Sequence, residues 1–281
     1  MAVARNWARA LLEARRDWIG SFLLRLPEPL RSLRKVPILG NLAHRLSHRF
    51  LPADEKVWAR VERGSAEGLW LELNPRTGQD YLHGNVEPAI QDMLSKRLAP
   101  GMVFYDLGAN IGFFSLLAAR LVGAAGQVFS FEPDPEIADR LRHNISRNGF
   151  INATVTEAGI WSASGVFNFV PADLSSPDRG VGKFAAGENS AVGTPTRCVA
   201  LDDFVRGAPT PDVIKCDVEG AEIEVFRGAE KLLTARHPLI LCEMHSEAND
   251  KFLREYFVRF GYSLESVDNL HLLAVPQLVT K

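Results

Sequence analysis

Between residues 102 and 275, short apolar runs alternate with stretches of helical periodicity, and no other feature of the sequence constrains its fold as strongly. Apolar runs at 102–107, 127–131, 153–157, 212–216 and 239–243 read as buried strands. Helical patterns at 113–121, 135–148, 201–205, 222–234 and 252–260 fall between or after them. Alternation of this kind makes an α/β fold, a parallel sheet with crossover helices on its faces. Two last extended runs, 262–267 and 270–275, meet at Asp268-Asn269, which predicts a tight turn. Residues 166–170 read as a peripheral strand. Residues 171–196, rich in Gly, Ser, Pro and Asp, read as a loop or lid.

Upstream of this domain, 101–281, lie two smaller segments. Residues 55–100 read as a cap. A helix-like stretch leads into Leu69-Trp70-Leu71-Glu72-Leu73, a turn at 74–78, a second extended run through Tyr81 and Leu82, and a helix over 87–98. Residues 1–54 read as a basic helical arm. The first 50 residues hold ten Lys/Arg and three Asp/Glu, a balance of +7; with −2 for the chain, the remainder carries −9. Within the arm, 5–26 is amphipathic, with Trp7, Leu11, Ala14, Trp18 and Phe22 on one side and Arg5, Arg9 and Arg16 on another. Glu13 and Asp17 dilute the basic face, which favours packing on the domain or a partner over peripheral attachment to a membrane surface. An Arg-rich transit peptide is a third reading. A run of about 18 apolar residues, as a spanning helix needs, does not occur. Cys198, Cys216 and Cys242 lack CxxC spacing. They read as reduced thiols of a cytoplasmic protein, not as disulfides or a zinc site.

Ligands of open α/β sheets bind beyond the carboxyl ends of the strands. There the first strand ends in Asp106-Leu107-Gly108-Ala109-Asn110-Ile111-Gly112. Gly108 permits a tight turn, Gly112 a close backbone approach, and the following helix offers its N-terminus to an anion. A dinucleotide fingerprint would read GxGxxG; here the spacing is GxxxG, with an acid two residues earlier. Asp106 suits an ammonium group and repels a pyrophosphate. Glu132, ending the second strand, is placed to accept two ribose hydroxyls. The GxxxG spacing, Asp106 and Glu132 narrow the expected ligand to S-adenosylmethionine, whose methionine moiety carries both an ammonium and a carboxylate.

These segments, with Phe131-Glu132-Pro133, resemble the opening motifs of the FkbM family of methyltransferases. Leu201-Asp202-Asp203-Phe204, Ile214-Lys215-Cys216-Asp217-Val218-Glu219-Gly220-Ala221-Glu222 and Glu243-Met244-His245 resemble its later motifs in order, and Gly84 with Glu87 resembles a Gly-x-x-Glu element before the first strand. The resemblance spans roughly 80–275. It implies a Rossmann-like class I methyltransferase fold with a mostly parallel seven-stranded sheet, preceded here by the N-terminal helical extension. It also implies S-adenosylmethionine as donor, held by Asp106, Gly108, Ala109, Asn110, Gly112, Glu132 and, under the adenine, Ala158. The acceptor implied is a hydroxyl of a sugar, glycan or other small natural product.

A hydroxyl becomes a competent nucleophile when its proton is removed as the new bond forms. Lys215, Asp217 and Glu219 alternate along one extended segment, and Glu243 and His245 along its neighbour. His245 or Asp217 is the expected base, Lys215 the expected holder of a carboxylate or the substrate. Asp217, Glu243 and His245 alternatively bind a divalent cation, although their spacing fits no dedicated metal motif. Glu222, inside a predicted helix, reads as structural. A nucleotide-dependent oxidoreductase and a catalytically silent scaffold are the competing functional readings. Nucleic acid is an unsuitable partner: the domain is acidic, and Asp217-Val218-Glu219-Gly220 replaces the Asn/Asp-Pro-Pro-Tyr segment of base methylases.

Overall fold

The structure is a computed structural model that describes residues 56–75, 77–170, 183–184 and 193–277. The expected basic arm, with the amphipathic helix expected over 5–26, and most of the loop expected over 171–196 lie outside the described residues. The chain divides into two compact units, one ending at Val86 and the other beginning at Glu87.

In the first unit β1 (Val57–Arg60) pairs antiparallel with β2 (Trp70–Leu73), and α1 (Gln79–Leu82) is a short helix. Two expectations are corrected here. The stretch after residue 55 is a strand, because Val57 and Ala59 alternate with outward residues and bury one face. The run through Tyr81 and Leu82 is helical: the Gly78 N–H donates back to the Asn74 carbonyl at 2.8 Å, and the chain coils instead of returning as a strand.

The second unit runs in order through α2 (Pro88–Arg97), β3 (Val103–Leu107), α3 (Phe113–Val122), β4 (Gln127–Phe131), α4 (Pro135–Arg147) and β5 (Ala153–Thr156). It continues with β6 (Gly159–Ile160), β7 (Gly165–Val170), β8 (Lys183–Phe184), β9 (Thr194–Val199), α5 (Leu201–Phe204) and β10 (Val213–Cys216). Last come α6 (Glu222–Arg227), α7 (Glu230–Arg236), β11 (Leu239–Glu243), α8 (Glu247–Arg259), β12 (Tyr262–Ser266) and β13 (His271–Pro276).

Seven of these strands form one sheet in the order β12-β13-β11-β10-β3-β4-β5. Only β13 runs antiparallel to its neighbours. This is the mostly parallel, Rossmann-like sheet that the alternation predicts. The register sets Lys215 beside Asp106, and Asp106 beside Ser130. Because strand side chains alternate faces, these three polar groups share one side. Tyr105, Ile214 and Cys216 fall on the other side, in an apolar core with Phe226, Leu233 and Phe257. All three cysteines are buried free thiols. Among the described residues no helix is long and apolar enough to cross a membrane.

Three local differences have physical causes. The helix expected over 222–234 is two, α6 and α7. A side chain at Gly228 would meet the Trp161 carbonyl at 2.3 Å, and the Asp202 carboxylate accepts the Lys231 and Leu232 N–H groups to start α7 afresh. Helix α8 begins five residues early, because Ser246 Oγ accepts the Asn249 N–H at 3.1 Å. Residues 194–196 leave the expected loop to join β9, which lies between β6 and β7 in a second sheet ordered β6-β9-β7-β8.

Candidate active site

At the carboxyl ends of β3, β4 and β10 a cleft opens, lined by Gly108, Asn110, Glu132, Ala158, Gly159, Phe169, Asp217 and Glu219 among others. The turn after β3 is built to hold its shape. Gly108 has φ +76, and a Cβ there would lie 1.8 Å from the Asp217 carbonyl oxygen, so only glycine fits. Its N–H and that of Ala109 donate to the Phe131 carbonyl. Asn110 N–H donates to Glu132 Oε2 at 2.9 Å, Ile111 N–H to Asn110 Oδ1, and Gly112 N–H to the Ala109 carbonyl. Each N–H of 108–112 is thus used inside the protein.

Of the residues expected to hold the donor, Gly108, Asn110, Glu132 and Ala158 line this cleft, and Asp106, Ala109 and Gly112 stand outside its lining. Gly112 makes room for a side chain: a Cβ would meet Leu141 Cδ1 at 2.1 Å. Asp106 is buried, accepts from Ser115 Oγ at 2.5 Å, and faces Lys215 in place of an ammonium ligand. Burial pushes its carboxyl above the usual carboxylate range.

Glu132 accepts two backbone N–H groups, from Asn110 and Asp134, yet burial raises it to about 7, with Asp134 and Asp106 adding to the rise. Each of its oxygens keeps a lone pair with which to accept a further hydroxyl, as expected for a ribose, and only the ionised form accepts at both. As pH falls through 7 the carboxylate protonates, so affinity for S-adenosylhomocysteine should fall by up to about tenfold per pH unit. Calorimetry in two buffers of different ionisation enthalpy should show proton release on binding near pH 7. A Glu132→Gln variant should lose this dependence. A flat profile from pH 5.5 to 8 in the parent chain would refute the assignment.

Beyond Glu132 the cleft meets a polar cluster. Lys215 is buried, 3.1 Å from Asp217 Oδ2, with its ammonium over the Phe114 ring. Burial acts to lower it, but Asp217, Asp106 and Glu87 raise it well above the ordinary lysine value, so it stays charged. In this structure it neutralises acids within the sheet. Burial acts to raise Asp217, and Lys215 outweighs it to hold the carboxylate below its usual range.

His245 stands at the centre of four carboxylates. Its Nδ1 lies 2.6 Å from Glu222 Oε1, and its Nε2 lies 3.3 Å from Glu219, 3.6 Å from Asp217 and 3.8 Å from Glu243. The Glu222 hydrogen bond, working against burial, raises the imidazole to about 9. Glu222 is wholly buried and also accepts from the Gly220 N–H and Asn249 Nδ2. Read from the sequence as structural, it is the group that orients His245. The available signal was its place in the first turn of a helix that follows a strand-end motif.

A neighbouring set was also missed in part. His271 opens β13 directly beside Glu243, with Nδ1 2.9 Å from Asp268 Oδ1 and Nε2 3.4 Å from Glu87 Oε2 and 3.6 Å from Glu243 Oε2. Burial acts to lower it, and the three carboxylates raise it to about 10. On the outer side, Ser246, Glu247, Asp250, Arg254, Ser266 and Asn269 form a second, polar groove whose wall includes both His245 and His271.

The methyltransferase FkbM domain model matches residues 106–264, more than half of the chain. The hexuronic acid methyltransferase AglP of Haloferax volcanii is 29% identical over 197 residues, covering 69% of this chain and 73% of that protein. The 31-O-demethyl-FK506 methyltransferase FkbM of Streptomyces tacrolimicus is 29% identical over 215 residues, 66% of this chain and 77% of that one. The 2-O-methyltransferase NoeI of Sinorhizobium fredii is 28% identical over 195 residues, with shares of 62% and 78%.

Proposed function

This chain belongs to the FkbM methyltransferase family, and on that premise we propose that it transfers a methyl group from S-adenosylmethionine to a hydroxyl of a sugar, glycan or similarly polar natural product. The observation that carries the reading is the position of His245. Its Nε2 faces Asp217 and Glu219, which line the cleft after β3, while the residue itself lines the polar groove outside. One cluster of proton-accepting groups therefore touches both the cleft after β3 and a groove rich in hydrogen-bonding side chains.

The residues present fit the donor. Gly108 keeps the cleft wall free of a side chain, Glu132 offers two acceptor oxygens, and Ala158 and Phe169 supply apolar surface for a base. S-adenosylmethionine would bring a methyl group already activated on a sulfonium. The protein's tasks are then to align the acceptor, exclude water and take up one proton. The imidazole, raised to about 9, is protonated at neutral pH, so the ionised Asp217 takes that proton there and His245 takes it as pH rises toward 9. Glu222 fixes the imidazole, and Lys215 keeps Asp217 ionised. The hydroxyls, carboxylates and amide of the groove suit a polyhydroxylated acceptor. AglP and NoeI, by their names, methylate a hexuronic acid and a 2-oxygen.

Calorimetry of the full chain with S-adenosylhomocysteine, followed by methyl transfer from labelled donor to hexose- and hexuronate-containing glycans, tests the proposal. Micromolar binding and O-methyl ether products are expected. A folded protein that binds no S-adenosylhomocysteine, or products that are exclusively carboxyl esters, would refute it.

A further inference from the structure

We propose that Glu87, Glu243 and His271 hold a divalent transition-metal ion, in a buried site beside the methyl-transfer cluster. His271 is 5% exposed, and its Nε2 has no hydrogen-bond partner among the described residues although two carboxylates face it. Glu87 Oε2 is buried and likewise makes no hydrogen bond among the described residues. The two atoms stand 3.4 Å apart, and Glu243 Oε2 lies 3.6 Å from the same nitrogen. The two atoms pair only as charges, at a separation too long for a good hydrogen bond, and an ion between them would meet both.

The spacing suits a shared ion. Two ligand atoms each about 2.1 Å from one cation stand roughly 3.0–3.5 Å apart, longer than a good N–H···O hydrogen bond. The ligand atoms of Glu87, Glu243 and His271 all lie within 4.8 Å of one another. The far side of the imidazole is prepared as well. Asp268 accepts from Nδ1, and also from the backbone N–H groups of Leu270 and His271, which fixes the ring with Nε2 turned inward. A carboxylate behind the imidazole is the usual support of a metal-bound histidine. Glu87 is delivered from the N-cap of α2 in a left-handed conformation, φ 39°, that a residue with a side chain seldom adopts.

One imidazole with two carboxylates suits Mn²⁺, Fe²⁺ or Zn²⁺ better than the all-oxygen preference of Mg²⁺ or Ca²⁺. The ion would fix Glu243, whose Oε1 lies 3.8 Å from His245 Nε2. The site goes beyond the functional proposal and does not depend on it, because it uses no residue that binds the donor.

Mn²⁺ alone is the probe. After chelation and buffer exchange, the full chain should bind one Mn²⁺ per chain by electron paramagnetic resonance titration, with a melting temperature that rises with Mn²⁺ concentration. Glu87→Gln and His271→Gln should each weaken uptake at least tenfold. His245→Gln should leave it within about threefold. Calorimetry with S-adenosylhomocysteine on the same samples reports folding and the donor site separately. The site is overturned if the parent chain takes up no Mn²⁺, if His271→Gln binds as the parent does, or if His245→Gln abolishes binding, which would place the ion in the Asp217–Glu243–His245 set.

Discussion

Replacing Lys215 with Met should destabilise the protein by about 3–5 kcal/mol, the range found when one partner of a buried ion pair is removed. Lys215 is 3% exposed and lies between two acids, Asp106 and Asp217. Met approximates its volume and its contact with Phe114, so the loss reports charge and not packing. Asp217 would then remain largely buried with its nearest cation gone, and Asp106 with only Ser115 to satisfy it. Urea denaturation should show the midpoint shift, and thermal melting a fall of roughly 10 °C. A double variant, Lys215→Met with Asp217→Asn, should recover part of the loss, because it removes one of the stranded charges. A loss below about 1 kcal/mol for the single variant would mean that the acids are protonated in the folded state and that Lys215 does not neutralise them.

The second large effect concerns the rate. His245→Ala should lower kcat by about 10²- to 10⁴-fold near pH 9, where the parent imidazole is half neutral and able to accept a proton, while S-adenosylhomocysteine affinity stays within about threefold. Glu222→Gln is the sharper test of the same unit. It keeps the shape at a wholly buried position, but leaves the His245 ring with a neutral partner for Nδ1. kcat should fall by at least about tenfold with KM for the acceptor little changed, as expected for a positioning residue that touches no substrate. If Glu222→Gln alters KM alone, the carboxylate acts by shaping the groove and does not orient His245.

The parallel sheet was legible because each of its central strands is a short apolar run bounded by turn residues, and because Gly108 and Glu132 sit at strand ends where an open sheet binds ligands. What failed to read were features set by distant partners. Gly228 breaks α6 from α7 because Trp161 packs on it, more than sixty residues away in the chain. Gly112 reads as a ligand-facing glycine and proves to accommodate Leu141. Asp106 looks like a contact for an ammonium ligand, yet the strand register turns it toward Lys215. Glu87 and His271 stand 184 positions apart (271 − 87) and meet only because β13 returns antiparallel beside β11. No spacing rule joins them. Local periodicity fixes which segments are strands; which side chains share a site depends on strand order.

The closed accounting of hydrogen bonds in the turn after β3 bears on competition inside a cell. Adenine nucleotides share adenosine with the proposed donor, so a cleft that read adenosine alone would be occupied by them. Phosphates are held elsewhere by loops that present unspent backbone N–H groups. Here the N–H groups of 108–112 are already engaged, and Glu132, Asp217 and Glu219 add negative charge around the opening. Selectivity then comes from what the turn withholds: a nucleotide would have to surrender the hydration of its phosphates and receive no donor from this turn in exchange.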